Sequence, residues 1–272
     1  MPLTARRHVR KMRGGAQSHL LEADDGNFYI VKFQNNPQHR RILVNELVST
    51  VFLKYLQVSS AAAEFIRITP EFLAANPEVH MQLGSGRIPV APGWHFGSRH
   101  PGNPDVLAVY DFLPDTLLAG VTNLSDFLAV LVFDKWMANA DGRQAIFFRA
   151  RVEDWQGGVR KAFVAVMIDH GFVFNGPHWD FTDSPLQGLY PRHQVYEPVR
   201  SLDDFQPWLD RVVHFPEEVV DQAFRQVPPE WVEGEEDHFE QLLEKLLRRR
   251  ARVPDLIADS RQARSGPFAN WR

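Results

Sequence analysis

The sequence predicts an α+β chain in two unequal parts, a sheet-rich stretch to about residue 112 and a helix-rich remainder. Three observations carry this. Short strand-like runs separated by turn residues fill roughly the first 110 positions. Helical spacing of apolar residues dominates from Ser125 onward. One long pair of strand-like runs, Ala145 to Val152 and Lys161 to Ile168, interrupts the helices as a hairpin.

In chain order, Gln17 to Ala23 reads as a strand, Asp24-Asp25-Gly26-Asn27 as its turn and Phe28 to Phe33 as the returning strand. Asn35-Asn36-Pro37 can open a helix that runs to about Leu56 and is apolar on most sides, so it should be buried. Ala63 to Ile68 and Leu107 to Phe112 read as two further strands of the same small sheet, with the Gly/Pro-rich segment Gly84 to Pro104 between them as a long loop. Ser125 to Ala138 reads as a helix, and the hairpin follows, closed by the turn-rich Glu153-Asp154-Trp155-Gln156-Gly157-Gly158. Asn175 to Val199 has no period and reads as irregular loop. Helices are predicted over Leu202 to Val213, Glu217 to Gln226 and Asp237 to Arg252.

Composition narrows the function. The 272 residues are 44% hydrophobic and 24% charged, the balance of an ordinary globular chain. No apolar run reaches the roughly 18 residues of a membrane span, and no apolar segment follows the basic N-terminus, so neither a membrane nor secretion is expected. There is no cysteine, which excludes disulfides and thiolate metal sites and fits a cytoplasmic chain. A net charge of −4 gives no reason to expect nucleic acid. The basic run Arg6 to Arg13 reads as a solvated arm or strand, or as a flank to the glycines that follow. Arg248-Arg249-Arg250 reads as basic residues complementing a helix C-terminus.

The chemistry is carried by two aspartates. Asp141, in Asn139-Ala140-Asp141, precedes the first strand of the hairpin, and Asp169, in Ile168-Asp169-His170-Gly171, ends the second. Antiparallel pairing brings both to one end of the hairpin. Two carboxylates there are a repulsive liability or a cation site, and hard oxygen ligands suit Mg²⁺, which takes few carboxylates plus phosphate oxygens. That points to phosphoryl transfer, which also needs a backbone cradle and a cation for the phosphates. Gly14, Gly15 and Ser18 lie in a segment able to supply the cradle. Lys32 follows apolar strand residues, and Glu46 lies on a helix with few polar sides, so an ion pair between them satisfies both. Asp141 would accept a hydrogen bond from the attacking hydroxyl, with Asn139 bracing the loop or binding metal. A site built from His95, His100, His170, His178 and His193 rests only on loose spacing.

Gly14-Gly15, Val31-Lys32, Glu46, Asn139-Ala140-Asp141 and Ile168-Asp169-His170-Gly171 together resemble the HipA-like kinases, a protein-kinase-like branch found in prokaryotes. The resemblance runs from about Met12 through the closing helices. It implies a two-lobed protein-kinase-like fold, with a sheet-rich N-lobe over 1–112 and a helical C-lobe over 113–272. It also implies ATP and Mg²⁺ as cofactors and a protein Ser/Thr hydroxyl, or a small alcohol, as acceptor. On the same basis Asp141 is the catalytic carboxylate and Asp169 matches the metal-binding Asp of the Asp-Phe-Gly element. Lys32 and Glu46 match the nucleotide lysine and its helix partner, and Tyr110 to Leu113, with Tyr110 and Phe112, would be the hinge against which adenine stacks. One departure stands out: where such kinases carry an asparagine for a second metal, five residues after the catalytic aspartate, this chain has Ile146. Gln144 could substitute, Asn139 could turn inward, or a single metal is held. The departure also fits a nucleotide-binding module without turnover. The acceptor and any antitoxin-like partner leave no trace in the sequence.

Overall fold

The computed structural model describes residues 3–153, 159–263 and 265–272, so the turn reading for 154–158 lies outside the described residues. In chain order the strands and helices are β1 (Leu3–Lys11), β2 (His19–Ala23), β3 (Phe28–Lys32), α1 (Arg41–Leu56), β4 (Ala63–Ile68), α2 (Pro70–Ala75), β5 (His80–Leu83), β6 (Gly86–Pro89), β7 (Gly93–Arg99) and β8 (Val109–Tyr110). They continue with α3 (Asp115–Leu118), α4 (Asp126–Trp136), β9 (Gln144–Glu153), β10 (Val159–Ile168), α5 (Trp208–Val213), α6 (Glu217–Gln226), α7 (Pro229–Val232), α8 (Glu236–Arg249) and α9 (Val253–Ser260).

The first part is a closed barrel in the order β1-β2-β3-β7-β4 rather than an open sheet, with β1 and β4 parallel at the closure. Its interior holds Ala5, Leu21, Tyr29, Val31, Ile66 and Ile68. The basic N-terminal run is β1 itself, with Arg7 paired to Glu22 on β2. The loop expected over Gly84 to Pro104 contains β6 and β7 instead, and β7 lies between β3 and β4. Glycine there marks close packing, not a turn: a Cβ on Gly97 would lie 2.5 Å from Cγ1 of Ile66. The strand expected over Leu107 to Phe112 shortens to β8 and leaves the barrel, pairing Val109 with Phe148 and Tyr110 with Phe147 on β9.

The α1 helix starts later than expected, at Arg41, because residues 34–40 form turns. It is buried on most sides, and its apolar residues join one core with α4, α5 and α8. Phe52 stacks on Trp136 with ring centroids 5.4 Å apart and meets Phe215 at 4.9 Å. The Trp136 indole N–H donates to Leu246 O at 3.0 Å, so the aromatic cluster also fixes α8. The helix expected over Leu202 to Val213 is split into a short 3₁₀ turn, Leu202–Phe205, and α5, since Pro207 between them has no N–H to continue the ladder. The last predicted helix ends at Arg249, and α9 follows it without having been expected. Arg249 does more than complement a helix end: it is buried and donates to Trp136 O at 2.9 Å and Lys135 O at 3.1 Å.

The β9–β10 hairpin is antiparallel as expected, with Gln144 opposite Ile168 and Glu153 opposite Val159, so the start of the first strand lies beside the end of the second. Truncating the central aromatic tests the shared core. Phe52→Ala is expected to lower unfolding free energy by about 3–5 kcal/mol, the usual range for a fully buried Phe, read by chemical denaturation. A loss under about 1 kcal/mol would contradict the packing described.

Candidate active site

Lys32 ends β3 on the face opposite the barrel-interior Val31, toward α1. Its side chain is almost fully buried and its ammonium bonds Glu46 of α1 and Asp169 Oδ1, the latter at 2.7 Å. The Lys32–Glu46 pair is as the sequence predicts. The contact with Asp169 is additional, since nothing local links residues 137 positions apart. Burial works against the Lys32 charge, but the two carboxylates hold its pKa above the ordinary lysine value. Burial pushes Glu46 up, against the pull of Lys32. Asp169 goes the other way: the Lys32 charge beside it holds its carboxyl below the usual 3.8, burial opposing. Lys32 is thus a buried cation between two unlike carboxylates, one locked in the helix and one partly open to solvent. Among the described residues, Asp169 Oδ2 has no hydrogen-bond partner.

Asp169 sits where its neighbours force it. Its φ of 58° is in the left-handed region, which aspartate tolerates better than most residues. Gly171 follows because α1 passes too close for a side chain: a Cβ there would lie 2.6 Å from Cγ2 of Ile42. Asn45 of α1 then holds the loop, donating through Nδ2 to the carbonyls of Gly171, Val173 and Gly176 at 2.7, 3.0 and 3.0 Å and accepting from Trp179 Nε1 at 2.9 Å.

Asp141 lies at the same end of the hairpin, three residues before Gln144, whose partner in the register is Ile168. It is exposed. Its Oδ1 accepts from Gly142 N at 2.8 Å and its Oδ2 from Gln144 Nε2 at 3.4 Å, and it forms no ion pair among the described residues. Asn139 turns inward as a brace: Oδ1 accepts from Asp141 N at 3.2 Å, and Nδ2 donates to Asp134 at 3.0 Å. The two loops are also joined along their backbones, Ala140 N to Phe172 O at 2.9 Å and Phe174 N to Met137 O at 2.7 Å. Ile146 is a half-buried strand residue of β9 facing no cation, and Gln144 is the exposed amide closest in sequence to Asp141.

Gly14 and Gly15 lie exposed in the turn from β1 to β2, and Gly14 has φ 114°, which strains any side chain. Ser18 is buried at the start of β2. Gln17 ties the turn to β5 by exchanging two hydrogen bonds with the Gln82 backbone at 2.7 and 2.6 Å. Tyr110 and Phe112 are both exposed. The Arg192 guanidinium covers the Phe112 ring at 4.7 Å. A cavity of about 250 Å³ beside it is lined by Asp111, Phe112, Gln144, Ala145, Ile168 and Arg192. A larger hollow of about 830 Å³ between α1, β4 and α6 contains none of the predicted site residues.

The histidines do not gather: among the described residues no three His, Cys, Asp or Glu side chains are placed to hold a metal ion. His95 serves the barrel, accepting from Gln34 N at 3.0 Å. His170 joins Arg143 at 2.9 Å. The reading missed Asn45, Asp134 and Arg143. The signal for the first two was the one that found Glu46, a polar residue in an otherwise apolar helix.

The opposite shifts of the two carboxylates give a pH test. A depressed acid contributes stability that is present above its unfolded value and lost as pH falls through the folded one. Asp169→Asn is therefore expected to be less stable than wild type near neutral pH, with the gap closing below about pH 3.8, as read by denaturation at several pH values. A gap that does not change with pH would contradict the Lys32–Asp169 pair.

Comparison with known proteins bears on the fold and the family. A crystal structure of the Golgi casein kinase with Mn/ADP bound matches at a TM-score of 0.52 and 13% identity, over 99% of this chain and 75% of that one. A second structure of the Golgi casein kinase matches at 0.51 and 12%, over 97% and 73%. These likenesses show a protein-kinase-like fold. No curated protein sequence matches the chain. A family model described as HipA-like kinase matches residues 7–253, and the chain therefore belongs to the HipA-like kinase family.

Proposed function

We propose that this protein is an ATP- and Mg²⁺-dependent phosphotransferase acting on a Ser or Thr hydroxyl of a protein in the cytoplasm, with an N-lobe over 1–112, a C-lobe over 113–272 and the nucleotide between them. The observation that carries the reading is Lys32, a buried ammonium held by Glu46 and Asp169 at once. A cation fixed beside a carboxylate with a free oxygen is what phosphate and a divalent metal require together. The structure of the Golgi casein kinase with Mn/ADP bound is in keeping with it.

The residues fit the group. Asp169 would hold the metal, with the Gln144 amide oxygen as a second donor. When bound, Mg²⁺ would neutralise charge on the phosphates. Lys32 would bind phosphate oxygens in place of Asp169, with Glu46 holding its side chain in position. The turn at Gly14, Gly15 and Ser18 offers backbone N–H groups to the phosphates. Phe112 and Tyr110 provide apolar surface for adenine. Asp141, with no cation of its own, orients the acceptor hydroxyl and takes its proton.

Ile146 favours a second reading, a nucleotide-binding module without turnover, because an apolar side chain stands where an amide ligand for a second metal is expected. One experiment separates the two. ATP·Mg²⁺ binding by calorimetry and transfer to a Ser/Thr peptide library are measured on wild type and Asp141→Asn. The phosphotransferase reading expects similar affinities and a loss of about 10²- to 10⁴-fold in transfer for the variant. Binding without transfer by either protein supports the second reading, and no binding by wild type contradicts both.

A further inference from the structure

Arg143 lies two residues after Asp141, and its side chain and that of Asp134 are both completely buried. All three guanidinium nitrogens donate. Nε and Nη2 bind the two Asp134 oxygens, the former at 2.8 Å, while Nη1 donates to Ile168 O at 2.9 Å and to His170 Nδ1 at 2.9 Å. Ile168 and His170 are the residues immediately before and after Asp169. On the other side, Asp134 accepts from Asn139, which in turn accepts from the backbone N–H of Asp141. One hydrogen-bonded path therefore begins at Asp141 and ends on both neighbours of Asp169. The surroundings hold it shut: a Cβ on Gly188 would lie 2.2 Å from Cβ of Asp134, so the chain passes Asp134 only as glycine.

We propose that Arg143, clamped by Asp134, is the positioning residue that sets Asp141 and Asp169 relative to each other, and its effect on turnover rests on the phosphotransferase reading. A pair needed only for stability would be satisfied by Asp134 alone. Arg143 instead spends half its contacts on the two residues that bracket the other carboxylate. A fork of fixed geometry is required, since four acceptors in three directions cannot be met by the compact charge of lysine. His170 completes the arrangement, its Nδ1 lying 2.9 Å from Arg143 Nη1. Misplacement by about an ångström is enough to cost about a hundredfold in rate.

The test uses the full chain with ATP and Mg²⁺, as wild type, Arg143→Lys and Asp134→Asn, with Arg248→Ala on an exposed helix pair as control. Thermal melting shows that each variant folds, and Asp134→Asn keeps the volume of the site if Arg143→Lys does not fold. Phosphate release from ATP gives kcat and KM, and amide hydrogen exchange is followed at 137–141 and 169–175. The expected result is a fall of about a hundredfold in kcat with KM for ATP within about threefold. Faster exchange should appear in both loops together, with none in the barrel. Wild-type kcat in both folded variants, exchange unchanged in either loop, or exchange raised uniformly across the chain would each overturn the positioning role. A wild type that neither binds nor hydrolyses ATP strikes the phosphotransferase reading, and exchange in the two loops then decides the positioning role by itself.

Discussion

A lysine ammonium cannot remain out of water without acceptors, and the buried Lys32 is the constraint on which the rest of the structure depends. The barrel sets its stem, since β3 is held on both sides by β2 and β7. Glu46 must then face it from α1, which fixes the rotation of that helix, and Asp169 must reach it from β10, which fixes the hairpin. Three elements far apart in sequence are thereby joined at one charge. Glu46 and Asp169 respond oppositely, the first raised by burial and the second lowered by Lys32, and the one whose charged form Lys32 favours is the one open to solvent. On the proposed function, a ligand entering from that side would meet a cation that keeps its helix partner and releases the other.

The loops around this charge are held at unusual cost to the backbone. Ala138, Asp169, Phe174, Asn175 and Trp179 all have φ between 48° and 58°, where residues other than glycine are strained. Such conformations persist only where the surroundings impose them. Here Asn45 fixes three carbonyls of the second loop, the two loops bond each other's backbones, and Asp134 with Arg143 lies beneath both. Five of the eight non-glycine residues with positive φ among the described residues lie in the segments around Asp141 and Asp169, the others being Gln17, His39 and Gln57.

What could be read from sequence was what alternation and isolation make visible. The hairpin followed from two strand-like runs joined by a turn-rich segment, and with it the meeting of Asp141 and Asp169 at one end. Lys32 and Glu46 followed because a lone charge on an apolar surface demands a partner. Glycine misled: Gly93 and Gly97 read as loop, but Gly97 is there because Ile66 fills the space of its side chain, a fact of tertiary packing. The same limit misplaced β8: a strand was expected there, but its two residues pair with β9 and not with the barrel beside them in sequence. Arg143 was hidden by its setting in Gly142-Arg143-Gln144, which looks like a solvated turn, and only the fold shows that Asp134 and Ile168 enclose it.

The central claim is that Lys32 is a shared cation which gives up Asp169 and keeps Glu46 when nucleotide binds. A crystal structure with a non-hydrolysable ATP analogue and Mg²⁺ tests it most directly. The expected result is Lys32 bonded to Glu46 and a phosphate oxygen, with Asp169 turned to the metal. An analogue bound while the Lys32–Asp169 contact stays intact, or bound at a site away from Lys32, would contradict it.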